Sequence, residues 1–370
     1  MKRMAYGAAC AALALGMCAA GTRAEDMVFV SFGGALQEAQ RTAFLGPFAQ
    51  SSGHKVVERT WDGGIGKISV RAKMGALDWD VVQLEGEDFV LGVRDGLFAP
   101  IDWNSLGGRE QYLPQAVSEF GVGAILYSVA LGYDASRLST APRTWADFFD
   151  LKKFPGRRAL RKTAKTTMEI ALLADGVRQE DVYKVLATPE GQARAFRKLD
   201  QIKASVVWWE SGSKPVELLV EGKVSMAAAY NGRIAAAQAK GAERLKIQWD
   251  QNLFMRDWYV VMRHARNPDM ARSFLRYINT PEVQARLPGL IPYGVPRKDV
   301  MQQLSTDGHR DLPTHPANLK GALAVDDRFW VEHGAQLERV FGIYVQLYAG
   351  DPEGSTRLAG IDTTEGGGPR

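Results

Sequence analysis

The chain has 370 residues, with 46 Lys and Arg against 42 Asp and Glu. Three of the basic residues (Lys2, Arg3, Arg23) and no acid fall in the first 24 positions, leaving 43 basic and 42 acidic groups and no strong charge to drive nucleic-acid binding. Both cysteines, Cys10 and Cys18, lie in that same stretch, so the remainder has no disulfide framework and no thiol nucleophile.

Lys2-Arg3, the small and apolar run from Ala5 to Ala20, and Thr22-Arg23-Ala24 have the form of a secretory signal peptide over 1–24, cleaved after Ala24 into the periplasm. Met17 before Cys18 lacks the small residues of a lipoprotein site. The remaining 346 residues exceed the roughly 250–300 at which single cores stop growing, so two lobes are expected.

In chain order, MVFVSF (27–32) predicts a strand ended by Gly33-Gly34, and Ala35 to Gln50 has helical spacing. HKVVERTW (54–61) predicts a second strand, the glycines at 63, 64 and 66 open a helix to Met74, and WDVVQL (79–84) is a third strand. Strands alternating with helices imply a parallel sheet with crossover helices. GVGAILYSVALGYD (121–134) is a long strand-like run. TWADFFD (144–150) predicts a short helix with Thr144 as N-cap and Asp147 three residues on. Short strands come next at 157–161, 206–209, 224–230 and 245–249, alternating with helices near 166–175, 189–202, 214–221 and 231–240. A second long strand is expected over 254–263, then an amphipathic helix over 268–279 and a terminal helix over 326–348. The two long strands bracket the middle block. The expected organisation is therefore a first lobe at 25–130 and 256–350, an inserted second lobe at 131–255, and a flexible tail at 351–370. A cleft between such lobes is where a ligand would bind.

Enzyme motifs are missing. DGGIGKI (62–68) lacks the first glycine and the Ser or Thr of a phosphate-binding loop, and no GxGxxG or GxSxG occurs. His309 and His315 share a loop with Asp307 and Asp311, but at no zinc spacing, so neither a metal nor a cofactor is expected. Glu85, Glu87 and Asp88 form an acidic cluster suited to binding, or less readily to acid–base work. Trp61, Trp208, Trp209, Trp249 and Trp258 stand at strand ends, where they pack in the core or face a cationic solute.

Several stretches together resemble a known family. SFGG (31–34), DWDVVQLEGEDF with GLFAPID (78–102), TWADFFD with KFPGRRAL (144–160), LLVEGKVSMAAAYNGR (218–233) and FMRDWYVVMRHARNPDMARSFLRYINTPEVQARL (254–287) are similar in order and spacing to the extracellular solute-binding proteins of ABC importers, in the spermidine/putrescine-binding branch. The resemblance implies an α/β fold of two lobes with mixed sheets flanked by helices and two crossover strands at the hinge. It implies a monomer that captures a small solute and delivers it to a membrane permease with its cytoplasmic ATPase, and that is not an enzyme. It also implies that Asp257 receives an amine, that Tyr230, Phe32 and Tyr293 pack on the solute, and that Glu85 lines the pocket. Arg256, facing away from Asp257 by strand alternation, is expected to pair elsewhere.

One segment departs from the family. Where polyamine binders carry two acids, this chain reads LRKTAKTTMEI (160–170), with Lys162 and Thr166 in their places. If Lys162 faces the cleft, the solute needs an anionic end as well as an amine. The leading expectation is a polyamine-like or other amine-bearing solute. The alternative is an anionic or zwitterionic solute such as an opine or amino-acid conjugate, and a secreted hydrolase is a remote third.

Overall fold

The computed structural model describes residues 26–349 apart from 62, 307 and 308. The expected signal peptide and flexible tail lie outside the described residues. Among the described residues nine strands form one mixed sheet: β1 (Met27–Ser31), β2 (Val56–Thr60), β3 (Val81–Glu85), β4 (Val122–Asp134), β5 (Arg158–Arg161), β6 (Val206–Trp209), β7 (Met226–Tyr230), β8 (Leu245–Val261) and β9 (Leu323–Ala324). The order is β2-β1-β3-β8-β4-β7-β5-β6, with β9 beside β8. β1 pairs in parallel with β2 and β3, and β5 in parallel with β6 and β7. Between these two parallel halves run β4 and β8, antiparallel to each other. β1 is buried along its whole length, as its apolar run Met27–Val30 requires of a strand covered on both faces.

The expected strands at 245–249 and 254–263 are one strand of 17 residues. Asp250-Gln251-Asn252 reads as a turn, and Gln251 does take a φ of 60°. Its neighbours keep the strand going. The Trp145 indole donates to the Gln251 carbonyl at 2.8 Å, while buried Asn252 accepts from Ser128 Oγ at 2.6 Å and donates to the Trp249 and Asn318 carbonyls. The irregularity is absorbed as a shift in register against β4 between Val129 and Leu131.

The expected helix 35–50 is divided into Gly34–Gln40, a π turn at Arg41–Leu45 and Gly46–Ser52. Pro47 has no N–H to complete the α ladder, and the wider turn before it takes up the mismatch. Thr144 does stand at an N-cap, but its side chain makes no capping bond; Asp147 instead accepts from the Arg143 N–H at 2.7 Å. The helix Ile65–Lys73 starts at Gly64, whose φ of 87° suits glycine. Its first N–H groups, Gly64 and Ile65, each donate to Asp88 at 2.8 Å, so Asp88 is a structural anchor.

The helix Asp327–Ala349 packs against both Gly86–Arg94 and Ala164–Ala174. It sends Phe329, Trp330, Leu337, Phe341 and Val345 into the core that also holds Met168 and Leu172. Among the described residues no helix is long and apolar enough to cross a membrane.

Candidate functional site

A cavity of about 570 Å³ opens where the two halves of the sheet meet. Phe32, Glu85, Tyr230, Asp257 and Tyr293, five of the six residues singled out in the sequence, line it together. The topology explains the convergence. β1 and β3 end at the cavity from one half of the sheet and β7 from the other, releasing Phe32, Glu85 and Tyr230 there, while β8, antiparallel to β3, sets Asp257 directly across from Glu85.

Aromatic rings build the walls. Tyr127 lies 6.0 Å from Tyr230 and 6.2 Å from Tyr293, centroid to centroid, and Phe32 stacks on Trp61 at 5.9 Å. Gly232 makes room for this cluster, since a Cβ there would stand 2.7 Å from the Tyr293 ring. Tyr127 and Arg233 also line the cavity, and sequence reasoning misses both. Tyr127 is hidden inside a long, mostly apolar strand. Arg233 is findable, because it lies one helical turn beyond Tyr230.

Asp257 is only 4% exposed. Its Oδ2 accepts from Gln83 Nε2 at 2.7 Å, and its Oδ1 has no hydrogen-bond partner. Burial pushes its carboxyl well above the usual carboxylate range, and the facing Glu85 adds to the effect, while Gln83 and the Tyr127 hydroxyl oppose it. Glu85 is open to the cavity yet surrounded by protein, and desolvation raises it too, against the pull of Lys165. An ionised Glu85 therefore adds to the cost of ionising the buried Asp257.

A chain of buried side chains holds Asp257 in place. Ser31 Oγ donates to Gln40 Oε1 at 2.9 Å, Gln40 Nε2 donates to Gln83 Oε1 at 2.6 Å and to the Tyr259 hydroxyl at 2.8 Å, and Gln83 donates to Asp257. Replacing Gln83 by Leu removes one hydrogen bond to a carboxylate, worth roughly 1–3 kcal/mol. The expected result in calorimetry is a solute affinity weaker by about five- to a hundredfold; an unchanged affinity would release Asp257 from its dependence on this chain.

Lys162, expected to face the cleft, does not line the cavity. Its ammonium pairs with the exposed Glu210 at 2.8 Å, and its own side chain is 45% exposed. The basic residue turned inward is Lys165, whose Nζ pairs with Glu87. The reason is local: Lys165 (ψ 133°) and Thr166 (φ 74°) break the helix Ala164–Ala174 near its start and redirect the side chains beyond β5. Arg161, at the end of β5, lies over Trp209 at 5.9 Å and has a buried Nε with no partner. Arg256 points away from Asp257, as alternation requires, and pairs with Asp327 at 3.1 Å.

Comparison with known proteins agrees with this architecture. Residues 47–317 match the family described as bacterial extracellular solute-binding protein. The chain is 43% identical over 326 residues to the gamma-aminobutyric acid-binding protein of Pseudomonas aeruginosa, covering 88% of this chain and 92% of that one. Among solved structures it is similar to an ABC transporter substrate-binding protein from Bradyrhizobium japonicum (TM-score 0.78, 31% identity, 87% and 99% of the two chains). A second similar structure is the Atu4243-GABA receptor (TM-score 0.76, 28% identity, 86% and 96%). The mixed sheet of two parallel sets, the cavity where they meet and these similarities lead to one conclusion: the chain belongs to the bacterial extracellular solute-binding proteins, as a substrate-binding component of an ABC transporter.

Proposed function

We propose that the protein captures a small zwitterionic amino acid whose amine and carboxylate are separated by a short apolar chain, of the γ-aminobutyrate kind, and hands it to its permease in the periplasm. The observation that carries this reading is Asp257 Oδ1, buried at the cavity and without a partner. Buried carboxylate oxygens are nearly always satisfied, and an arriving ammonium would satisfy this one. Glu85, directly opposite, is placed to take a second N–H of the same group.

The surrounding cations favour an amino acid over a polyamine. Glu87 is already paired with Lys165. Arg233 lines the same cavity and Arg161 acts electrostatically on Glu85. A second ammonium would meet this basic side, whereas a carboxylate is matched by it. The aromatic and aliphatic walls (Phe32, Leu36, Tyr127, Tyr230) suit the methylene chain between the two charges. The names of two similar proteins, which bind γ-aminobutyrate, support the same reading.

Titration calorimetry with 4-aminobutyrate, 5-aminopentanoate, putrescine, spermidine and an opine is the test. Tightest binding of an ω-amino acid is expected. Tighter binding of putrescine or spermidine would restore the polyamine reading, and a preference for the opine would shift the class to amino-acid conjugates.

A further inference from the structure

Beyond the wall of the cavity, three segments far apart in the chain meet around Lys165. The helix Gly86–Arg94 supplies Glu87, which pairs with the Lys165 ammonium; the carboxy-terminal helix supplies Glu338, which accepts from the Lys165 backbone, and Asp327, which pairs with Arg256 and acts on Lys165 through its charge. The approach is close. A Cβ on Gly86 would stand 2.1 Å from the Asp327 carboxylate, so only glycine fits there.

The backbone is bent to bring Lys165 in. Thr166 holds a φ of 74°, a costly conformation for a β-branched residue, and its buried hydroxyl has no partner. The corner is clamped from outside its own helix, because Glu338 accepts from the Ala164 N–H at 3.0 Å and the Lys165 N–H at 3.2 Å. Strain that neighbouring structure holds in place is a mark of function. What it achieves here is to turn the Lys165 side chain onto Glu87, with the two side chains only 16% and 26% exposed. Lys165 is not in the cavity wall itself, but Glu85 and Asp257 both lie within its field.

We propose that Lys165 is a specificity-determining residue. Its ammonium cancels Glu87 and leaves the facing Glu85 and Asp257 to receive a single cationic group, so that the site takes a solute with one ammonium and one carboxylate in preference to a diamine. The inference rests on the proposed function and goes further, assigning the discrimination to one side chain outside the cavity wall.

The test compares putrescine with 4-aminobutyrate by calorimetry on wild type, Lys165→Gln, Lys165→Arg and Glu87→Gln. One uncompensated charge a few ångströms away in protein surroundings is worth roughly a factor of ten or more in affinity. Lys165→Gln should shift the affinity ratio at least tenfold towards putrescine. Glu87→Gln should shift it in the opposite direction, and Lys165→Arg, which keeps the charge, should leave it within about threefold. The opposite sign of the two neutralising changes keeps the test informative even if one variant fails to fold. A wild type that prefers putrescine, or binds neither probe, overturns both the proposed function and the role of Lys165. A wild type that prefers 4-aminobutyrate with a ratio unmoved in the neutralising variants overturns the role of Lys165 alone.

Discussion

Asp257→Asn is expected to abolish most solute binding while leaving the fold intact. The asparagine keeps the size of the side chain and an oxygen to accept from Gln83, so the buried chain through Gln40 can persist. What disappears is the counter-charge for a desolvated ammonium. Breaking a buried ion pair by removing one partner costs roughly 3–5 kcal/mol, a loss of about a hundred- to several-thousandfold in affinity. Calorimetry checks the affinity and a melting curve checks the fold. A change under threefold would mean that Asp257 does not meet the solute's charge. The same residue sets a pH dependence. The empty site holds a proton more readily than an ordinary carboxylate, and the bound ammonium needs the ionised form. Binding therefore releases a proton, and affinity falls as pH drops through the raised range of the Asp257–Glu85 pair. The asparagine variant should lose much of this dependence.

Glu169→Gln should stabilise the protein above neutral pH and do little in acid. Glu169 is wholly buried between the helix Ala164–Ala174 and the carboxy-terminal helix. Its Oε1 accepts from Trp330 Nε1 at 2.7 Å and from the Tyr183 hydroxyl at 3.2 Å, and its Oε2 has no partner. Burial pushes the carboxyl up to about 7, against the opposing hydrogen bonds. An unfolded glutamate titrates near 4.3. Between those values the native state keeps a proton that the unfolded chain has released, so stability falls as pH rises through the window. Below it the group costs nothing; above it the full cost applies, roughly 3 kcal/mol from the size of the shift. Glutamine imitates the protonated form and avoids that cost. Denaturant unfolding at pH 8 should show a gain of roughly 2–3 kcal/mol that shrinks towards zero near pH 4. An equal effect at both pH values would rule out ionisation as its cause.

The sequence is most legible where one strand end decides a residue's place. Phe32, Glu85 and Tyr230 each stand at the end of a short apolar strand. The two parallel sets run in opposite senses on either side of β4 and β8, so their carboxyl ends approach one cavity from both halves of the sheet. Asp257 is legible for a related reason, since strand alternation separates it from Arg256. The basic segment misleads because Lys162 and Lys165 are distinguished only by the local break at Lys165 and Thr166, a corner whose N–H groups are capped by Glu338, 173 residues further on from Lys165. The acidic cluster behaves likewise. Glu85 faces the cavity, Glu87 takes Lys165 and Asp88 secures a neighbouring helix, three destinations for three closely spaced acids. The 17-residue β8 looks like two strands because Asp250-Gln251-Asn252 has turn chemistry, and partners from elsewhere in the fold override it.

The position of β8 in the sheet also constrains when the protein can fold. β3 has β1 on one side and β8 on the other, and the bond from Gln83 to Asp257 joins residues 174 apart. β4 likewise finds its main partner in β8, with Ser128 and Asn252 124 residues apart. A chain that emerges amino terminus first carries both strands with an open edge until most of its length is available. Neither the paired centre of the sheet nor the candidate site can exist before residue 257 is available. Contacts of such long sequence separation make folding slow, and the late arrival of one strand makes completion of the sheet and completion of the binding site a single event.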